Sequence, residues 1–310
     1  MTCNRRRFLQ TAGLALGSTW ARCHRQNNRW QGFHWAMCNE SMKGWTWEEQ
    51  CRLVGQAGFT GIEIAPFTLV KEGVEELSTS QRQEMVRIMQ IHGLTCAGLH
   101  WLLVAPPAGL HCTTNDVFIR QRTWQYVHRL IDFAADLGGP VLVFGSPKQR
   151  SARDAGISVV EARKRLTEGL AQCAEHARRC EVKILLEPLD HSQTDVVNTL
   201  AECLQVVDAI GDPAIQTMFD FHNTPDEIEP MAQLVKRYFP YIHHVHVQEM
   251  NGRHLGTGSG SIEYLQTFQT LKDLAYSKWI SLEVFDFAPG AQAIATESLK
   301  TLQAMQAKLS

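Results

Sequence analysis

The chain has 310 residues, a formal net charge of −2 and 44% hydrophobic residues. That length buries a core without disulfide or metal staples and suits one barrel-sized domain or two small ones. The near-neutral balance, with acidic and basic residues interspersed, gives no electrostatic ground for nucleic-acid or membrane binding.

The N-terminal stretch does not read as fold. Asn4-Arg5-Arg6-Arg7-Phe8-Leu9-Gln10 precedes a short run of small, mildly apolar residues that ends near Ala21. This pattern resembles a twin-arginine export signal. The resemblance implies a signal and linker over residues 1–31 and periplasmic delivery of folded cargo; if the stretch is only a basic tail, the protein stays cytoplasmic. The apolar run is too short to span a bilayer and no other segment reaches that length, so stable membrane insertion is not expected.

From residue 32 onward, short apolar runs alternate with longer amphipathic ones. The first expected strand, 33–38, leads to a helix over 47–58 stopped by Gly58. A strand at 60–65 precedes a helix at 81–93, and a strand at 94–101 precedes one at 115–137 that ends on Gly138-Gly139. The strands at 140–145, 182–188, 215–220, 243–248 and 279–285 pair with helices at 158–180, 196–210, 227–239, 262–275 and 291–308. The strands are dense in Val, Ile and Leu rather than alternating, which marks strands buried on both faces of a parallel sheet. Strict strand–helix alternation predicts an α/β fold, a (β/α)8 TIM barrel forming a single domain over 32–310. An open doubly wound sheet would want a glycine-rich phosphate loop after the first strand; Cys38-Asn39-Glu40-Ser41 stands there instead.

Nine cysteines are scattered without a CxxC pair. An odd number without zinc-finger spacing argues against a disulfide scaffold and a zinc finger. Cys38, Cys51, Cys96, Cys173 and Cys203 are expected as small buried apolar residues.

Chemistry-bearing residues recur at strand ends in the second half: Glu187 in KILLEPLD, Asp220 in IQTMFDFHN, His246 in IHHVHVQE and Glu283 in WISLEVFD. Each stands where an apolar run meets a polar loop. In a barrel these ends share one mouth, the face that carries active sites. Three carboxylates and one imidazole form a mixed oxygen and nitrogen set for one divalent ion such as Mn²⁺, Co²⁺ or Mg²⁺. Glu187 and Glu283, on the fifth and eighth strands, are assigned a double role as ligands and as the acid and base that move a proton beside a carbonyl. The implied substrate is a hydroxy-ketone, reacting through a metal-bound enediolate.

Neighbouring residues are assigned to substrate. His222 offers a hydrogen bond to a hydroxyl, and Arg253, in a glycine-bearing loop, a cation for an oxygen-rich group. His100 and Trp101, at the end of the third strand, offer a polar contact and a stacking face. Lys148 is placed to meet an anionic group, and Glu63 is counted among the mouth residues. Alternation puts His244 on the face of His246, as a satisfied core histidine, and His243 on the opposite face.

With these residues named, the chain resembles the xylose-isomerase-like TIM-barrel superfamily, in its sugar-phosphate isomerase and ketose 3-epimerase group. The resemblance rests on EPL at Glu187, the Asp220–His222 pair, HVHVQE at His246 with the following arginine and GTG, and LEVF at Glu283. It implies metal ligation by Glu187, Asp220, His246 and Glu283, proton exchange by the two glutamates, and substrate contacts from His222 and Arg253. Departures exist: only Phe221 separates Asp220 from His222, and Asp190-His191-Ser192-Gln193 follows EPL. The expected activity is a sugar isomerase or epimerase. Alternatives are an inosose-dehydratase-like lyase, a hydroxypyruvate isomerase and a non-catalytic carbohydrate-binding barrel. An endonuclease of this fold would need further histidine ligands on early strands and a basic face, which His100 alone and the net charge do not supply. A small-molecule sugar is the expected partner, nucleic acid is not, and a homo-oligomer is compatible with all of these readings.

Overall fold

In the computed structural model, which describes residues 30–310, each expected apolar run forms a strand. These are β1 (His34–Cys38), β2 (Gly61–Ile64), β3 (Thr95–Leu99), β4 (Val141–Phe144), β5 (Lys183–Leu186), β6 (Ile215–Asp220), β7 (Ile242–Val247) and β8 (Trp279–Leu282). They are parallel and close in sequence order, with β1 paired to both β2 and β8. The fold is a (β/α)8 TIM barrel, and its compact unit runs Gly32–Ser310. The Arg5–Leu9 motif lies outside the described residues.

The main outer helices are α1 (Trp47–Ala57), α2 (Thr79–Ile91), α3 (Val117–Leu137), α4 (Val159–Arg179), α5 (Leu200–Ile210), α6 (Met231–Tyr238), α7 (Leu265–Asp273) and α8 (Ala291–Gln306). Side-chain caps fix where several begin. Thr46 and Ser78 form capping boxes with Glu49 and Gln81. Asp116, Ser158 and Thr199 each accept from first-turn backbone N–H groups. Such caps satisfy donors that have no partner within the helix. Gly58 and Gly138 close α1 and α3 in the left-handed conformation, as expected of the stops.

The boundaries depart from the sequence reading in places with local causes. Capping by Thr199 starts α5 at Leu200 rather than at 196, and α6 begins only after Pro230. The last strand ends at Leu282 rather than at 285, leaving Glu283 in the loop. Three short helices, Pro147–Arg150, Ala152–Ala155 and Gly260–Glu263, were not expected.

Inside the barrel the core has two characters. Val141 and Val143 of β4 pack with Leu185 of β5 and Met218 of β6. Alternation puts these on the same strand faces as Gly145, Glu187 and Asp220, so they form an apolar floor below that part of the mouth. Across the barrel, Glu63, His244, His246 and Ser281 are all buried and polar. Cys38, Cys51, Cys96, Cys173 and Cys203 are buried. No helix among the described residues is long and apolar enough to cross a membrane.

Candidate active site

Asp220 ends β6 and is the register partner of His246 on β7. Glu187 and Glu283 stand one residue beyond β5 and β8. One donor atom from each of these four buried residues lies within 4.8 Å of the other three. A glycine makes room for one of them: a Cβ at position 145 would collide with Glu187 Oε2.

The His246 ring is held from behind. Its Nε2 donates to Glu63 Oε1 at 3.0 Å, while Glu63 Oε2 accepts from His244 Nε2 at 2.7 Å. His246 Nδ1 therefore faces the mouth, 3.1 Å from Glu283 Oε2 and 3.9 Å from Glu187 Oε1, yet it has no hydrogen-bond partner. Three buried carboxylates around an unpartnered imidazole nitrogen are a costly arrangement that a cation relieves. Three oxygens and one nitrogen with a second carboxylate behind the imidazole fit a hard or borderline divalent metal.

The carboxyl groups are not equivalent. Burial and the neighbouring Glu283 charge push Glu187 well above the usual range. Burial and Glu283 also raise Asp220, to about 6. Burial works against the charged form of Glu283, but His246 and His100 outweigh it and hold this carboxyl low. Glu63 follows the same logic: burial opposes its charge, and His244 and His246 together bring it well below the ordinary value.

Above these residues lies a cavity of about 380 Å³ whose wall includes Trp101, Lys148, Glu187, Asn223, Glu283 and Phe285. Trp101 Nε1 donates to Glu283 Oε1 at 2.7 Å. Its indole also lies 6.2 Å from the Phe285 ring. His222 stands beside the site with its ring edge-on to Phe285 and its Nδ1 without a hydrogen-bond partner.

One expected substrate contact is corrected. His100 has 0% exposure. Its Nε2 donates to Glu40 Oε2 at 3.0 Å and its Nδ1 lies 3.7 Å from Glu63 Oε1, so it offers substrate no surface. Arg253 is exposed and lies 3.6 Å from Asp286. Glu249 is buried and accepts from the backbone of Gly256 and Gly260, which pins the glycine-bearing loop. Glu63, expected at the mouth, is fully buried beneath it.

A family model described as "Xylose isomerase-like TIM barrel" matches residues 51–305. The chain belongs to that family. A relative from Synechocystis sp., named "Probable ketose 3-epimerase", is 24% identical over 265 residues, covering 79% of this chain and 86% of its own. The "3-dehydro-D-guloside 4-epimerase" of Escherichia coli is 24% identical over 248 residues, covering 76% and 86%. Among solved structures, D-psicose 3-epimerase with D-tagatose from Clostridium cellulolyticum superposes with a TM-score of 0.75 at 19% identity, covering 89% of this chain and 99% of the other. These relatives support an enzyme of the isomerase and epimerase kind.

Within this family's barrel, the sequence reading missed residues that position the site. Asn223 Nδ2 donates to Asp220 Oδ2 at 2.6 Å and to Glu187 Oε1 at 3.2 Å, and its Oδ1 accepts from Gln193. Glu40 is buried, accepting from His100 and from the backbone of Val284. Arg150 has no exposure and donates to the Glu187 carbonyl at 2.8 Å. Asn223 lies in the same FDFHN run as Asp220, and that short spacing was the available signal.

Proposed function

We propose that the protein is a divalent-metal-dependent sugar epimerase or isomerase that moves a proton between Glu187 and Glu283. The observation that carries this reading is the pair itself. Two buried carboxyls, one beyond β5 and one beyond β8, share one cavity wall and face the same His246 Nδ1. Two carboxyls converging on one cavity from different strands can serve as an acid and a base on two sides of one carbon.

Glu187, Asp220, His246 and Glu283 would hold the ion (Mn²⁺, Co²⁺ or Mg²⁺), which when bound supplies Lewis acidity toward the substrate carbonyl oxygen. Glu283 takes the proton from the carbon beside the carbonyl. Glu187 returns a proton to the other face of that carbon. The substrate is unchanged in composition, and one proton has passed from Glu187 to Glu283; its return resets the enzyme. The Trp101 indole N–H fixes one Glu283 oxygen, and Asn223 fixes one Glu187 oxygen. Trp101 and Phe285 supply an apolar face for a sugar ring. A cavity of about 380 Å³ suits a sugar or sugar derivative better than a three-carbon keto acid. The epimerase names of the relatives support the same class. The arginine-bearing leader adds the proposal that this chemistry takes place after twin-arginine export to the periplasm.

The test is solvent exchange. The metal-loaded protein is incubated with a panel of ketoses and keto-glycosides in D₂O. Deuterium should enter beside the carbonyl as the epimer appears. In Glu187→Gln and Glu283→Gln, net epimerisation should cease, with exchange persisting for the substrate whose C–H faces the surviving carboxylate. Near-normal epimerisation in either variant overturns the two-carboxyl scheme, and a dehydrated product replaces it with a lyase.

A further inference from the structure

The outer helices carry another group of metal-ligating side chains. His128 and Asp132 lie four residues apart on α3. His176 lies on α4, and Cys180, four residues later, caps that helix. Spacing of four puts each pair on one helix face. These faces meet. Trp124, one turn before His128, rests against α4 at Gly169, where a Cβ would collide with the indole. From 169, steps of about one turn lead along the same face to His176 and Cys180.

The donor atoms converge. Asp132 Oδ1 lies 2.8 Å from His176 Nε2, and Cys180 Sγ lies 3.9 Å from each of them. The His128 ring centroid is 5.0 Å from that of His176. In a tetrahedral site with metal bonds of about 2.0–2.3 Å, neighbouring donors are about 3.3–3.8 Å apart. The Asp132, His176 and Cys180 separations are close enough to those edges for small side-chain rotations to complete the face, and the His128 ring beside His176 would have to turn its nitrogen inward to take the fourth position. Asp132 is exposed, while His176 and Cys180 are half-buried, so an ion has access. Arg179 lies nearby, donating to His176 Nδ1 at 3.0 Å. It is exposed and free to rotate away.

We propose that His128, Asp132, His176 and Cys180 form a second metal site, a zinc-type clamp joining α3 to α4. Thiolate and imidazole donors select a borderline-soft ion of the Zn²⁺ class, unlike the oxygen-rich set at the barrel mouth. The clamp would tie the two helices together just ahead of β5, the strand that leads to Glu187.

Cobalt tests it, because a thiolate bound to Co²⁺ gives a near-ultraviolet charge-transfer band that oxygen and nitrogen donors do not. The full-length protein is titrated with Co²⁺. The band should saturate at one equivalent per chain bound at this site, persist in Asp220→Asn and Cys38→Ala, and bleach when Zn²⁺ is added. It should vanish in Cys180→Ser and His176→Ala, with unchanged circular dichroism. Zn²⁺ should raise the Tm of the parent more than that of Cys180→Ser, and His128→Ala should weaken Zn²⁺ binding at least tenfold. Absence of a thiolate band in the parent, or a band that survives Cys180→Ser, overturns the clamp. So does a band that depends on Cys38 instead.

Discussion

Glu63→Gln should weaken both the barrel and its metal site. Glu63 has no exposure and accepts from His244 at 2.7 Å and His246 at 3.0 Å. Glutamine keeps the shape but has one acceptor oxygen; its amide group would point N–H at one imidazole N–H. One buried donor is left unpaired, at a cost of about 1–3 kcal/mol, and the surviving bond loses its charge assistance. Breaking a buried ionic cluster from one side typically costs about 3–5 kcal/mol, so a loss of about 2–5 kcal/mol is expected. Metal affinity should fall as well, because a carboxylate behind a ligating imidazole is worth about 10–100-fold.

Two assays separate these effects. Urea denaturation of the metal-stripped protein reads stability, and Mn²⁺ titration reads affinity. His244→Phe is the control: it removes the His244–Glu63 bond and leaves the Glu63–His246 bond in place. It should lose stability while keeping Mn²⁺ affinity within a few-fold. If Glu63→Gln binds Mn²⁺ as the parent does and unfolds within about 0.5 kcal/mol of it, Glu63 neither orients His246 nor balances buried charge.

Further outcomes follow from other residues. Gly145→Ala should displace the Glu187 carboxylate and lower kcat at least tenfold with the fold intact, checked by steady-state kinetics and circular dichroism. Burial, aided by Lys278 and Lys183, holds the His243 imidazole down to about 4. The unfolded chain therefore takes up a proton below about pH 6.5 that the folded chain refuses until about pH 4, and stability falls across that window. His243→Asn should flatten the curve there, measured by urea denaturation at stepped pH. Export should require Arg5 and Arg6: replacing both with lysine in a tagged protein should keep it out of the periplasmic fraction, and continued periplasmic arrival would refute the leader.

Much of the barrel was legible because its cause is local. Short Val/Ile/Leu-rich runs such as VLVF and KILL, set between longer amphipathic segments, read as buried strands, and glycine stops such as Gly58 and Gly138 mark where helices end. What was misplaced depends on contacts absent from the local pattern. The apolar run through Val284 and Phe285 reads as strand, yet β8 stops at Leu282, leaving Glu283 to reach His246 and Trp101 in the mouth. His100 looked available to substrate, yet its ring is buried between Glu40 and Glu63.

The buried polar network shows a signal that was present and under-read. Glu63 lies between Ile62 and Ile64 in a strand buried along its length. A carboxylate in such a run is not tolerated without partners, so it must face a cationic or hydrogen-bonding group across the barrel. The same reasoning applies to His244, one strand register below His246. Their pairing joins residues 181 positions apart, which is why no local window displays it. Yet the partner types are fixed by chemistry. A carboxylate facing inward calls for donors, and the histidines on the inward face of β7 were already known from alternation. Glu40, His100, Glu63 and His246 then alternate acid and imidazole, which keeps buried charge compensated beneath the mouth. The buried ligands at the mouth end this network rather than stand alone. That is why the Nδ1 of His246, and not its Nε2, is left facing Glu187 and Glu283.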